Sequence, residues 1–156
     1  MSVHRETFVE LVKQKGWTRG AELGVDKGIL FGMLLRTCPD LTLIGVDTFP
    51  DRERSRRVFD HEKAVGKRAR VMQMTTTQAI NHVDDGSLDF VFIDADHSEA
   101  AVTEDIYNWR PKVKKGGWFG GHDYRTRRFP GVYAAVKKAF PDGVQEWPGN
   151  IWGVFL

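Results

Sequence analysis

Two short segments concentrate the side chains able to do acid–base or metal chemistry, Asp94-Ala95-Asp96-His97 and Gly120-Gly121-His122-Asp123-Tyr124. Each follows an apolar run that reads as a buried strand. Carboxylates favour hard cations such as Mg²⁺, Ca²⁺ or Mn²⁺, and an imidazole tilts the choice towards transition metals. Imidazole also titrates near neutrality, so His97 is a candidate general base. Three or four such donors converging from the two segments suffice to hold Mg²⁺ or another divalent ion, and Asp94 also counts among the candidate catalytic residues. Plainer roles compete with these. Asp96 is better explained as a cap for a helix starting near Ser98. His122 suits a residue that supports a ligand as well as it suits ligation.

A second kind of chemistry lies in the turn Glu22-Leu23-Gly24-Val25-Asp26-Lys27-Gly28. A dinucleotide fingerprint reads G-x-G-x-x-G, so that a diphosphate meets glycine backbone and a helix N-terminus. Here the pattern is G-x-x-x-G with Glu22 and Asp26 beside it. Two carboxylates repel a diphosphate and attract an ammonium and a sulfonium. The turn therefore favours S-adenosylmethionine over NAD. Asp47 lies 23 residues after Gly24, close to the offset of about 20 at which an acid reaches ribose hydroxyls. Phe49 is placed to cover an adenine. The glycines taken alone are equally explained by a tight turn and close helix packing, and Asp47 by a cap; their joint occurrence at consecutive strand ends favours the cofactor.

These residues need a scaffold that brings strand ends together. Residues 3 to 15 read as an amphipathic helix stopped by Gly16. Strand-then-helix cycles follow: 21–23 with the apolar run to Cys38, 41–47 with 51–65, 70–74 with 77–83, 88–94 with 99–109, and 117–121 with 132–140. Such alternation predicts right-handed crossovers and a mostly parallel sheet covered on both faces. Two apolar runs around Pro148-Gly149-Asn150 predict a closing hairpin with an antiparallel edge. In such sheets ligands bind beyond the carboxyl ends of the strands. Gly24, Gly28, Gly116, Gly117, Gly120 and Gly121 are expected there.

The 156 residues suit one domain, with 1–16 as the N-terminal helix and 17–156 as the core. Lys and Arg number 23 against 21 Asp and Glu, which excludes a uniformly basic nucleic-acid coat or an acidic tail. The single Cys38 excludes an intramolecular disulfide framework and fits a reducing compartment. No stretch reads as a signal peptide or a membrane span, and a cytoplasmic location is expected.

The successive segments AELGVDKG, LIGVDTF, FVFIDADH and KKGGWFGGHDY resemble the motifs of class I S-adenosylmethionine-dependent methyltransferases, from about Ala21 to Leu156. They are most similar to small O-methyltransferase-like proteins carrying DADH and GHDY. The resemblance implies an α/β, Rossmann-like, doubly wound seven-stranded sheet in the order 3-2-1-4-5-7-6, last strand antiparallel. It implies that Glu22, Gly24 and Gly28 hold the methionine moiety and that Asp47, with Thr48 beside it, holds the ribose. Met74 and Thr75 would flank the adenine, and Asp94 would border the cofactor. In metal-dependent relatives an aspartate follows the fourth strand and an Asp-Asn pair the fifth, which Asp94, His122 and Asp123 match with His122 replacing aspartate. His97 stands where relatives carry a catalytic lysine.

The expected activity is O-methylation of a small molecule, with His97 as base and a divalent metal lowering the acceptor's pKa. Arg125, Arg127 and Arg128 suit an anionic acceptor, whereas Arg52, Arg54, Arg56 and Arg57 alternate with acids and read as a solvated helix face. The sequence also admits a cofactor-binding module without turnover, a nucleic-acid methyltransferase and a metal-dependent hydrolase. A second subunit, most simply in a homo-oligomer, is a further source of acceptor selectivity.

Overall fold

Apolar periodicity alone accounts for most of the elements in the computed structural model, which describes residues 2–156. The strands are β1 (Arg19–Leu23), β2 (Thr42–Asp47), β3 (Ala69–Gln73), β4 (Leu88–Ile93), β5 (Val113–Gly121), β6 (Gln145–Trp147) and β7 (Ile151–Phe155). The helices are α1 (Val3–Lys15), α2 (Ile29–Thr37), α3 (Arg56–Val65), α4 (Thr76–Ala79), α5 (Glu99–Trp109) and α6 (Pro130–Ala139). They form one seven-stranded sheet in the order β3-β2-β1-β4-β5-β7-β6. β1 to β5 pair in parallel, and β7 runs antiparallel to both β5 and β6. The α/β doubly wound architecture and its strand order are those expected.

The two faces follow from the period of two along each strand. Phe90, Phe92 and Trp118 point into one core with Phe8 and Val12 of α1, Phe31 and Leu34 of α2, and Val58 of α3. Val91, Ile93 and Phe119 point into the other, with Ala79 of α4, Ile106 and Trp109 of α5, and Val136 of α6. β4 is buried along its whole length, as a central strand covered on both faces must be. Trp109, Trp118 and Trp152 are core residues and Trp147 packs against the first core, as expected for packing rather than for a stacking platform.

Several boundaries differ from the periodic reading. Residues 52–55 form turns, and α3 starts only at Arg56. Pro130 occupies the first turn of α6, where its missing N–H costs nothing, so the helix begins two residues before the first apolar position. β5 starts at Val113 because a bulge lies within it: Leu88 pairs with Val113, but Phe90 pairs with Trp118. Gly116 and Gly117 belong to this bulge and bond to Leu156, far from the ligand end. The expectation for these two glycines is corrected accordingly.

At the amino ends of the central strands, Asp89 of β4 is buried and fully engaged. Its Oδ2 accepts the N–H groups of Thr18 and Arg19, both at 2.8 Å, and its Oδ1 pairs with Lys114 Nζ. Burial pushes this carboxyl up, but the lysine and the two backbone donors outweigh burial and hold it below its usual range. The residue clips β1, β4 and β5 together. Among the described residues no helix is long and apolar enough to cross a membrane.

Candidate active site

At the carboxyl ends of the same strands the chain opens into a cavity of about 770 Å³. Its wall comes from the ends of β1, β2 and β4, the turn before α4, and the start of α1. Glu22, Gly24, Asp47, Thr48, Met74, Thr75, Asp94 and His97 all line it. Parallel strands explain the convergence: every β-to-α turn emerges on the same edge.

The β1 end is built for close approach. Gly24 has φ +84°, and a Cβ there would lie 2.2 Å from the Asp94 carbonyl oxygen. Only glycine lets the turn after β1 pass so near the turn after β4. Glu22, two residues earlier, is 3% exposed, and its Oε2 has no hydrogen-bond partner. Burial first, and the Asp94 charge second, push its carboxyl well above the usual range. Such an orphaned buried oxygen on a cavity wall is costly unless a ligand donates to it. At the end of β2, Asp47 accepts the Asp26 N–H at 2.9 Å and the Phe49 N–H at 2.8 Å. It thereby fixes both loops at the cavity mouth.

Three cofactor-site expectations need correction. Phe49 is 2% exposed and packs in the core against Phe59, with ring centroids 5.2 Å apart, so it does not face the cavity. Gly28 sits behind the wall at the start of α2 and gives room to Val58, which a Cβ would meet at 2.7 Å. Asp26 is paired with Arg54 at 2.7 Å, so its charge is answered by the chain itself rather than left for a cationic ligand. Arg54 thus stands at the cavity mouth and not on a merely solvated helix face.

Between the ends of β4 and β5 the carboxylates and histidines meet. His97 Nε2 lies 3.2 Å from Asp94 Oδ1 and 2.9 Å from Asp123 Oδ2. His122 Nδ1 lies 3.7 Å and 3.2 Å from the same two oxygens. Asp123 adopts φ +62°, a left-handed turn that swings its carboxylate back towards β4. The ring of Phe129 stacks on His97 at 4.0 Å. Asp96 turns away and accepts the Ser98 N–H at 2.7 Å, while Ser98 itself caps α5 through the Ala101 N–H.

Hydrogen bonds donated to Asp123 and Asp94 raise His97 to about 9. For His122, burial opposes protonation, yet bonds to the same carboxylates bring it also to about 9. Burial pushes Asp94 and Asp123 up, and the two imidazoles more than reverse this. At neutral pH the quartet therefore holds two carboxylates and two imidazoliums. The expected base, His97, is protonated in this resting arrangement.

A residue without any motif completes the cluster. His4, in the first turn of α1, packs against His122 with ring centroids 3.9 Å apart and the planes tilted by 32°. Burial, and then the His122 charge, lower it to about 4, so it is neutral. The donor atoms that close on one another form two groups sharing Asp94: His4 with Asp94 and His122, and Asp94 with His97 and Asp123. Asp94, His122 and Asp123, the anticipated metal set, are neighbours in this cluster, but the donor groups that close divide them: His122 falls with His4 and Asp123 with His97. No sequence spacing links His4 to residues some 90 to 120 positions later.

The arginine loop after Asp123 also differs from expectation. Arg125 makes two bonds of 2.6 Å to Glu146 of β6, an acid remote in sequence. Arg128 lies over Phe129, and a second cavity of about 600 Å³ joins Asp96, His97, Arg128 and Phe129 beside the first.

A parallel sheet of this order with a reversed final strand and a ligand-ready edge defines the Rossmann-like methyltransferase architecture. Residues 21–124, well over half of the chain, match a family described as a methyltransferase domain, and the chain belongs to that family. The fold superposes on the TDP-rhamnose 3'-O-methyltransferase CalS11 of calicheamicin biosynthesis with TM-score 0.74 at 16% identity, covering 95% of this chain and 76% of that one. It also superposes on a Bacillus cereus O-methyltransferase in complex with SAH (TM-score 0.76, 15% identity, 100% and 82% covered). TomG of Streptomyces achromogenes, in complex with SAM, gives TM-score 0.69 at 13% identity, with 94% and 77% covered. A Sinorhizobium fredii protein designated y4gI is 30% identical over 71 residues, which are 46% of this chain and only 8% of that protein's length.

Proposed function

We propose that the protein binds S-adenosylmethionine in the larger cavity and transfers its methyl group to an oxygen of a small acceptor. The carrying observation is the buried, unpartnered Glu22 oxygen beside Gly24, with Asp47 at the next strand end. An ammonium donor satisfies Glu22, and ribose hydroxyls suit Asp47. The O-directed chemistry is supported by the likeness to O-methyltransferases and by His97 at the junction of the two cavities. The smaller cavity, with Arg128 and Phe129, suits a planar or anionic acceptor. Arg125 is already occupied by Glu146, which leaves Arg128 as the cation lining that cavity.

In-line methyl transfer needs alignment and a deprotonated acceptor. His97, once it has released its proton, takes one from the acceptor hydroxyl, and Asp94 and Asp123 stabilise the imidazolium that results. Asp94 and His122, with Asp123 beside them, would hold a divalent ion; such an ion, when bound, would lower the pKa of the acceptor hydroxyl.

Calorimetric titration with S-adenosylmethionine, its demethylated product and NAD tests the reading. Binding of the first two is expected; binding of NAD alone would sink it. Cofactor binding with no transfer to any of a panel of hydroxylated acceptors would mark a non-catalytic module instead.

A further inference from the structure

The helix α1 is the one element whose approach to the site no motif requires, yet it delivers His4 into the cluster. Ser2 Oγ lies 2.7 Å from His4 Nδ1. This bond fixes the ring and leaves Nε2 as its free donor, the arrangement in which a neighbouring group orients a metal-bound imidazole. His4, Asp94 and His122 each present one donor atom within 4.8 Å of the others. His97 remains against Asp123 at 2.9 Å.

We propose that His4, Asp94 and His122 form a two-imidazole, one-carboxylate site that takes a transition ion of the Zn²⁺, Fe²⁺ or Co²⁺ class in preference to Mg²⁺, and that the ion ties α1 to the carboxyl edge of the sheet. The inference rests on the metal part of the reading above and names the ion class and a ligand from another element. Mg²⁺ demands near-octahedral oxygen ligation and dehydrates reluctantly. Two nitrogens and one oxygen suit Zn²⁺ or a non-haem iron, both of which are held by such triads with positions left open. The N···O separation from His122 Nδ1 to Asp94 Oδ1, 3.7 Å, is close to the edge of about 3.3 Å between ligands that share a tetrahedral ion at about 2.0–2.1 Å. Binding of the ion displaces the proton of His122 to solvent, as ligation by an imidazole requires, and leaves His97 as the histidine that moves protons.

Three consequences separate this site from an oxygen-ligated Mg²⁺ site. Zn²⁺ and Co²⁺ bind far more tightly than Mg²⁺. His4 contributes to that affinity although it lies about 90 residues from Asp94 in sequence. The bound ion protects the backbone amides of α1 from exchange.

The test uses untagged, chelator-treated protein with each metal alone. Titration with Zn²⁺ and Mg²⁺ is expected to give at least a 100-fold preference for Zn²⁺. Co²⁺ is expected to produce visible absorption bands typical of four or five ligands with nitrogen among them. His4→Ala should weaken Zn²⁺ binding at least 10-fold and abolish the slowing of amide exchange in α1. Its metal-free melting temperature, measured alongside, reports that the fold is intact. Ser2→Ala should give a smaller loss in the same direction. Equal affinity for Mg²⁺ and Zn²⁺, or unchanged Zn²⁺ binding by His4→Ala, overturns the proposal. Titration of the metal-free protein with S-adenosylmethionine is run separately, so that failure of the cofactor reading and failure of this site are told apart.

Discussion

The two ends of the central strands treat a buried carboxylate in opposite ways. At the amino ends Asp89 is 5% exposed, and both of its oxygens are occupied by backbone donors and a lysine. At the carboxyl ends Glu22 is 3% exposed and one oxygen has no partner. Burial is the same; the donors differ. Satisfied, the carboxyl is held below its usual range and acts as a clip. Unsatisfied, it is pushed far above that range and stores an unmet demand for a donor. The sheet is thus closed at one edge and chemically open at the other.

The largest test of the open edge is removal of His97. His97→Ala is expected to lower kcat by about 10²–10⁴-fold, the usual worth of a general base. Because its carboxylate partners raise its pKa to about 9, the wild-type rate should climb as pH rises through about 9, and the variant's should not. A flat wild-type profile between pH 7 and 10 would remove it as base.

At the closed edge, Asp89→Ala leaves the Thr18 and Arg19 amides and Lys114 without their acceptor. A loss of about 3 kcal/mol in unfolding free energy is expected, read by denaturant titration, with cofactor affinity in the remaining folded protein unchanged. Glu22→Gln should do the reverse. Cofactor affinity should fall about 10–100-fold, the worth of about 1.5–3 kcal/mol for a hydrogen bond to a charged group. Unfolding free energy should hold or rise, since a buried carboxyl that burial keeps from ionising is replaced by a neutral amide of the same shape. If both variants lose stability and neither loses affinity, the contrast between the two edges is broken.

The smallest effect is the pH dependence of stability, and here the two acids have opposite signs. Asp89, with its folded pKa lowered, contributes stability above its unfolded value near 3.8 that is lost as pH falls through the folded value. Glu22, with its folded pKa raised, contributes stability below its unfolded value near 4.5 that is lost as pH rises through the folded one. Unfolding titrations from pH 3 to 8 should show Glu22→Gln flattening the alkaline side and Asp89→Asn the acid side.

Much of the scaffold was legible because it is written locally. Residues 3–15 and 99–109 form helices over the expected spans, and six cavity residues expected to hold the cofactor (Glu22, Gly24, Asp47, Thr48, Met74 and Thr75) stand at strand ends. Where reading failed, a distant partner decided the outcome. Phe49 looked free to cover a ligand, but α3 offered it Phe59 and a dry core. Asp26 looked available until Arg54 reached it across the cavity mouth. Arg125 looked unopposed until the hairpin brought Glu146 alongside.

By itself the sequence determined the alternation of strands and helices, the closing hairpin and the placing of acids and glycines at turns. Each of these depends on residues a few positions apart and on their periodicity. Tertiary structure alone decided the charge state of the site and the membership of its cluster. Those depend on which atoms come within about 3 to 4 Å, and His4, Asp94, His97, His122 and Asp123 are carried there by α1, the β4 end, the turn before α5 and the β5 end. Coulomb and hydrogen-bond energies fall off over such distances, so no spacing in the chain encodes them.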